Sequence, residues 1–125
     1  MGSASMELRH LALAVRDEVA SRRFYEKYFD FEVARRAEDG TLMMRNADAF
    51  SLALGRWDSA TRLPEFLHFG FAAASPEDVR AYADRFRADG LELVGERDEP
   101  DYVSVKVRDP SGYVVEVGWE QGRWV

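Results

Sequence analysis

The chain has 125 residues, a length typical of one domain with its own core. Hydrophobic residues make up 46% and charged residues 32%, as in ordinary globular proteins, and no apolar run approaches the ~18 residues of a membrane span. The lack of cysteine excludes disulfides, thiolate catalysis and cysteine-ligated zinc. The net charge of −6 disfavours nucleic acid and anionic membranes as partners. We therefore expect a cytoplasmic globular protein without such partners.

The first six residues indicate where the domain is expected to begin. Residues 1–5, Met-Gly-Ser-Ala-Ser, are typical of a cloning remnant and contain no apolar stretch of a signal peptide. Met6 is then the expected native start, and residues 6–125 are expected to form a single domain.

Two halves of the chain repeat each other. At an offset of 58 residues, His10 coincides with His68, and these are the only histidines. Extra residues in the second half then shift the register, so that Ser51 is predicted to coincide with Glu116 at an offset of 65. The first module is expected at about 6–55 and the second at about 65–120, joined by a linker at 56–64.

The first half predicts a strand, a helix and three further strands. The apolar alternation of residues 8–15 is typical of a strand, and Asp17 is the expected N-cap of a helix with an aromatic face. Asp39-Gly40 is a hairpin turn signal. The three further strands are expected near residues 31–36, 42–45 and 50–54.

The second half predicts the same order of elements. A strand is expected at residues 66–72, and Ser75-Pro76 opens a helix that Gly90 ends. A turn at residues 109–112 separates the last two strands. Strands are expected near residues 91–96, 102–107 and 113–119, which gives an α+β fold of two βαβββ modules with a helix packed behind each half.

The alternation of side chains places three candidate ligands on one kind of face. His10, His68 and Glu116 each lie on the face opposite the helix, and small residues follow them on that face. Two imidazoles and a carboxylate are the ligand set of an open divalent-metal site. A face packed against a partner subunit and a shallow wet surface are the alternatives.

These motifs resemble the vicinal oxygen chelate superfamily, which includes glyoxalase I, extradiol dioxygenases, fosfomycin-resistance proteins and bleomycin-binding proteins. The resemblance rests on the residues following His10, on Phe24-Tyr25, on His68, and on the Asp109–Gly112 turn followed by Glu116. It implies that the two modules form a cupped mixed β-sheet around a metal. It also implies a homodimer with two sites, often built from both chains.

The resemblance assigns His10, His68 and Glu116 as ligands of one divalent metal ion per chain, with iron, manganese, zinc and nickel all possible. The position of a fourth ligand, a carboxylate in glyoxalase I, matches Ser51. Lys106 stands where fosfomycin and extradiol enzymes carry a tyrosine. Ser51 and Lys106 are therefore candidate catalytic residues, with Lys106 suited to an anionic oxygen of the substrate.

Two functions follow from this pattern. The first is a metal-dependent enzyme whose metal acts as a Lewis acid on vicinal oxygens of a small substrate, by isomerisation, addition to an epoxide or oxygenation. The second is a bleomycin-resistance-like protein that sequesters a small molecule without chemistry. The intact ligand set favours the enzyme, while the missing catalytic partners favour the binder.

Overall fold

The structure is a computed structural model that describes residues 6–57, 63–64 and 66–122. The predicted N-terminal remnant and part of the predicted linker lie outside the described residues. The chain divides into two compact units, one up to Ala60 and one from Thr61 onward. Each unit contains a four-stranded sheet and one helix.

The first unit is a βαβββ module with a mixed sheet. Its strands follow the order β1-β4-β3-β2, in which β1 and β4 are parallel and the other pairs are antiparallel. The helix packs against β4. The elements are β1 (His10–Val15), α1 (Glu18–Phe29), β2 (Glu32–Arg36), β3 (Leu42–Arg45) and β4 (Ser51–Arg56).

The second unit repeats this topology. Its strands follow the order β5-β8-β7-β6, with β5 and β8 parallel, and its helix packs on β7 and β8. The elements are β5 (His68–Ala72), α2 (Pro76–Ala88), β6 (Leu93–Glu99), β7 (Tyr102–Arg108) and β8 (Val114–Glu120). The predicted α+β class with two βαβββ modules is confirmed.

Both predicted helix starts are confirmed by their caps. The Asp17 carboxylate accepts a hydrogen bond from the Ala20 amide at 3.0 Å, and the Ser75 hydroxyl accepts one from the Asp78 amide at 3.2 Å. Each cap satisfies an amide that has no partner within the helix. Among the described residues, no helix is long and apolar enough to cross a bilayer.

The start of β5 differs from its prediction. Phe66 and Leu67 were expected inside the strand, but the strand begins at His68, and these two side chains are 89% and 57% exposed. The reason is a turn at Pro64, whose carbonyl accepts a hydrogen bond from the Leu67 amide at 3.0 Å. A proline turn of this kind delays the entry of the chain into the sheet.

The sheet register corrects the predicted internal alignment. In the first unit His10 pairs with Ser51, whereas in the second unit His68 pairs with Val114. Because the two histidines are equivalent in the repeat, Ser51 corresponds to Val114. Its predicted match with Glu116 is wrong.

The counterpart of Glu116 is instead Ala53. Glu116 pairs with Gly70, and Ala53 pairs with Ala12, the residue 58 positions before Gly70. The prediction failed because chain positions alone do not reveal how many residues the turns between strands absorb. The pairing of residues in the two sheets gives this number. The offset between Ala53 and Glu116 is 63 residues, where 65 was expected.

Candidate metal centre

His68 and Glu116 meet on one face of the second sheet. The parallel pairing of β5 with β8 places Gly70 beside Glu116, and His68 lies two residues before Gly70 on the same face. The His68 Nε2 atom is 3.2 Å from Glu116 Oε1. The Glu116 side chain is 5% exposed and that of His68 is 24% exposed. The predicted shared face of these two residues is confirmed.

A backbone contact sets the orientation of the His68 ring. Its Nδ1 atom is 2.7 Å from the carbonyl oxygen of Phe66. A carbonyl only accepts hydrogen bonds, so this contact is a hydrogen bond when Nδ1 carries a proton, and Nε2 is the ring nitrogen that faces Glu116. A histidine whose second nitrogen donates to a carbonyl is the usual form of a metal-ligating imidazole.

The Glu116 carboxylate is held by two hydroxyl groups of β7. Tyr102 donates a hydrogen bond to Oε2 at 2.5 Å, and Ser104 donates a second to the same oxygen. Burial raises the pKa of Glu116, but these hydroxyls and the charges of Lys106 and His68 lower it by more, so that the net pKa lies below its usual range. The buried group is therefore a carboxylate, the form that binds metal.

Two glycines make space for this carboxylate. A Cβ atom added at Gly70 would lie 3.0 Å from the Glu116 carbonyl oxygen, and one added at Gly118 would lie 3.4 Å from Glu116 Oε2. A side chain at Gly70 would crowd the glutamate backbone, whereas one at Gly118 would come into ordinary contact with the carboxylate. The glycine at position 70 is thus required by the fit of Glu116.

Lys106 lies next to Glu116 in the sheet. It is the cross-strand partner of Glu116 in β7 and is half-buried, with its side chain over Gly95 on the other side. Its positive charge contributes to the lowered pKa of Glu116. Paired residues of adjacent strands project to the same face, so the predicted position of Lys106 is confirmed while its catalytic role stays a prediction.

The other two predicted site residues lie together in the first unit. His10 of β1 and Ser51 of β4 are direct partners in the parallel pairing, and Arg45 of β3 follows in the same row. His10 is exposed and Ser51 is half-buried. Their roles as ligand and catalytic helper stay predictions.

The geometry of the His68–Glu116 pair fits two ligands of one ion. Atoms that each bind one ion at about 2.1 Å, at angles of about 90–110°, lie about 3.0–3.4 Å apart. The distance of 3.2 Å between Nε2 and Oε1 falls in this range. Within the described parts of one chain, no three His, Asp or Glu side chains form a group that could hold a metal. The pair therefore needs a further ligand for a complete site.

Tyr102 and Ser104 are site residues that no sequence motif marks. Strand alternation sets both on the same face as Lys106, and this is the signal that could have identified them. Their hydroxyl groups reach the carboxylate because β7 and β8 pair in a register that sets Ser104 opposite Gly118.

Comparison with known proteins identifies the family. A sequence profile of the Glyoxalase/Bleomycin resistance protein/Dioxygenase superfamily matches residues 7–117. The chain therefore belongs to this superfamily, and the resemblance inferred from its motifs is confirmed. No curated protein matches the chain significantly.

Solved structures agree with this assignment. A possible glyoxalase from Bacillus cereus is 31% identical, with a TM-score of 0.78 and coverage of 90% of this chain and 98% of that one. The fosfomycin resistance protein FosX of Listeria monocytogenes shares the fold at 21% identity, a TM-score of 0.80 and coverage of 95% and 97%. Lactoylglutathione lyase of Agrobacterium tumefaciens does so at 23% identity, a TM-score of 0.73 and coverage of 94% and 96%.

A further structure of the Listeria protein bears on ligands. It is a glutamate-to-glutamine mutant complexed with Mn(II) and 1S,2S-dihydroxypropylphosphonic acid. It is 20% identical to this chain, with a TM-score of 0.75 and coverage of 92% of this chain and 90% of that one.

Proposed function

We propose that this protein is a divalent-metal-dependent enzyme that acts on a small molecule with two adjacent oxygen atoms. The observation that carries the proposal is the His68–Glu116 pair, whose Nε2 and Oε1 atoms lie 3.2 Å apart while the other ring nitrogen of His68 contacts the Phe66 carbonyl. Superfamily membership supports it. So does the Mn(II) and dihydroxy-phosphonate complex of the structurally similar Listeria protein.

Three residues would hold the metal, as predicted from the sequence. His68 and Glu116 supply two ligands, and His10, from the same chain or from a second one, supplies the third. The bound metal would act as a Lewis acid that polarises the two substrate oxygens. Iron, manganese, zinc and nickel all accept this mixture of nitrogen and oxygen ligands.

Two further residues would act on the substrate. Lys106, half-buried beside Glu116, would bind an anionic oxygen of the substrate through a charge-assisted hydrogen bond. Ser51, next to His10 in the first sheet, would orient a polar group of the substrate with its hydroxyl. The reaction is an isomerisation, an addition to an epoxide or an oxygenation.

The alternative is a protein that sequesters a small molecule without chemistry, as bleomycin-resistance members do. The sheet register favours this alternative at one position, because the counterpart of Glu116 in the first unit is Ala53. The first unit thus has an alanine at the position where a second carboxylate would transfer protons in a glyoxalase. The ordered His68–Glu116 pair favours the enzyme, since a sequestering protein has no use for it.

Metal binding tests the proposal. Metal-free protein is titrated calorimetrically with Mn(II), Fe(II), Zn(II) and Ni(II), and we expect one ion per chain for at least one metal. His68→Ala and His10→Ala should each abolish stoichiometric binding, while the control Tyr82→Phe, whose ring packs on Phe86 in α2, should bind as the wild type does. Absence of uptake by the wild type, or uptake unchanged in His68→Ala, would overturn the metal site.

A further inference from the structure

The two oxygens of Glu116 have different surroundings. Oε1 lies 3.2 Å from the His68 Nε2 atom, on the side of the proposed metal. Oε2 accepts hydrogen bonds from both Tyr102 and Ser104. The carboxylate thus presents one oxygen to the imidazole and commits the other to hydroxyl groups of β7.

We infer that Tyr102 and Ser104 are positioning residues that restrict Glu116 to binding the metal through Oε1 alone. This inference rests on the proposed function, since it concerns the geometry of a metal ligand. Neither residue ligates the ion itself: each acts through the carboxylate by a hydrogen bond to its other oxygen.

The hydrogen-bonding capacity of Oε2 supports this restriction. A carboxylate oxygen has two lone-pair sites, and two hydroxyl donors occupy both. Ser104 is 3% exposed and Glu116 is 4% exposed, so water cannot replace a donor that is lost. Rotation of Oε2 toward a metal would take the acceptor away from the buried Ser104 hydroxyl and from the half-buried Tyr102 hydroxyl, which is costly. The carboxylate is thus held in one orientation.

The Tyr102 ring is itself held in place. The Arg97 guanidinium lies 4.8 Å from its ring centroid, and Arg97 also forms an ion pair with Glu99 at 2.8 Å. A cation stacked on a tyrosine restricts the ring and therefore the direction of its hydroxyl. Both donors to Oε2 are consequently anchored, one by stacking and the other by its buried position in β7.

A glutamate that supplies one oxygen occupies one coordination position, whereas a chelating glutamate occupies two. With three protein ligands that each supply a single atom, positions remain for both adjacent oxygens of the substrate. The hydroxyl pair would therefore determine how many positions the metal offers, without touching either the metal or the substrate.

Metal affinity and the visible absorption of bound Co(II) test this inference. We compare the wild type, Tyr102→Phe, Ser104→Ala and the double variant, with Ser104→Thr as the variant that keeps the hydroxyl and Tyr82→Phe as the control outside the site. Loss of either hydroxyl should weaken Co(II) and Mn(II) binding about 10–100-fold, the usual effect of removing a partner of a metal ligand. The absorption of the Co(II) form should fall in intensity, because a freed carboxylate chelates and raises the coordination number.

The outcomes separate this inference from the proposed function. No metal uptake by the wild type would overturn the proposed function, and the inference with it. Stoichiometric uptake with equal affinity and equal spectra in the wild type, Tyr102→Phe and Ser104→Ala would overturn the inference alone. Ser104→Thr and Tyr82→Phe should retain wild-type affinity and spectrum, and a loss of affinity in Tyr82→Phe as large as in Ser104→Ala would overturn the inference, because the effect would then not depend on the hydroxyls. Because the single variants are measured separately, unfolding of the double variant leaves the test intact.

Discussion

At the scale of single residues, the position of Glu116 depends both on hydrogen-bond donors and on neighbours without side chains. Two hydroxyl groups bind its Oε2 atom, and two glycines leave the volume that its backbone and carboxylate occupy. A buried carboxylate is stable only with such partners, because an unpaired charge in the interior is strongly disfavoured.

Gly70→Ala should destabilise the protein through this lack of space. The added Cβ would lie 3.0 Å from the Glu116 carbonyl oxygen, which is backbone and cannot move freely. We expect a loss of about 1–3 kcal/mol in the free energy of unfolding, as for other overpacked sites. Gly95→Ala is the matched control, since its Cβ would meet only the Lys106 side chain, at 3.6 Å. Urea denaturation measures both, and equal stability of the two variants would contradict the argument.

Lys106→Met should weaken the binding of an anionic ligand. If its ammonium group binds an anionic oxygen, the variant should lose about 1–3 kcal/mol of affinity for an anionic chelating ligand. Metal affinity should hold or rise slightly, because a positive charge next to Glu116 is removed. Calorimetric titration with metal and then with phosphonoacetate measures both steps. Equal affinity of the variant and the wild type for phosphonoacetate would exclude the role of Lys106.

At the scale of elements, polar contacts join helices to strands within each unit. In the first unit the Arg36 guanidinium of β2 binds both carboxylate oxygens of Glu18 in α1, at 2.7 and 3.1 Å. In the second unit Arg80 of α2 binds Asp98 of β6 through two contacts of 2.9 Å. The paired geometry gives each contact a defined direction, as is usual for arginine and carboxylate.

The Glu18–Arg36 contact predicts a pH-dependent stability. The hydrogen bond from Arg36 lowers the pKa of Glu18 below its ordinary value of 4.5. A lowered pKa in the folded state stabilises the fold above the pKa of the unfolded chain, and this contribution is lost as the pH falls through the folded value. Glu18→Gln should therefore be less stable than the wild type at pH 7, and the difference should shrink below pH 4.5.

Urea denaturation across this pH range gives the measurement. Glu38→Gln, an exposed residue of the neighbouring turn, is the control for the loss of one negative charge. A difference between Glu18→Gln and the wild type that stays constant from pH 7 to pH 4 would contradict the role of the ion pair.

At the scale of the whole molecule, the element order was predictable and the site was only partly so. Alternation, caps such as Asp17 and the turn at Asp109–Gly112 are local signals, and each was confirmed by the contacts it predicts. The register between β1 and β4 depends on how many residues the intervening turns contain. Local sequence signals do not give this number. This is why Ser51 was matched with Glu116 in place of Ala53.

The homodimer expected from the sequence gives a prediction at this scale. The described residues include large apolar side chains that are mostly exposed, among them Leu8, Trp57, Phe66 and Leu67. Such exposure favours an interface, and two-fold symmetry is the commonest form of one. Light scattering at micromolar concentration should give the mass of two chains, and Phe66→Ser with Leu67→Ser should lower it. A wild-type mass near that of one chain would contradict the expectation.

The alignment of Ala53 with Glu116 has a consequence for how the chain could gain a further ligand by mutation. The two modules share the same pairing of their parallel strands, yet the carboxylate is present at this position in only one of them. Every alanine codon becomes a glutamate or an aspartate codon by a single base change, so a second carboxylate at Ala53 lies one point mutation away, at a position whose strand pairing already matches that of Glu116. A repeated module of this kind lets a protein gain or lose a metal ligand in one module while the other module keeps its own ligand.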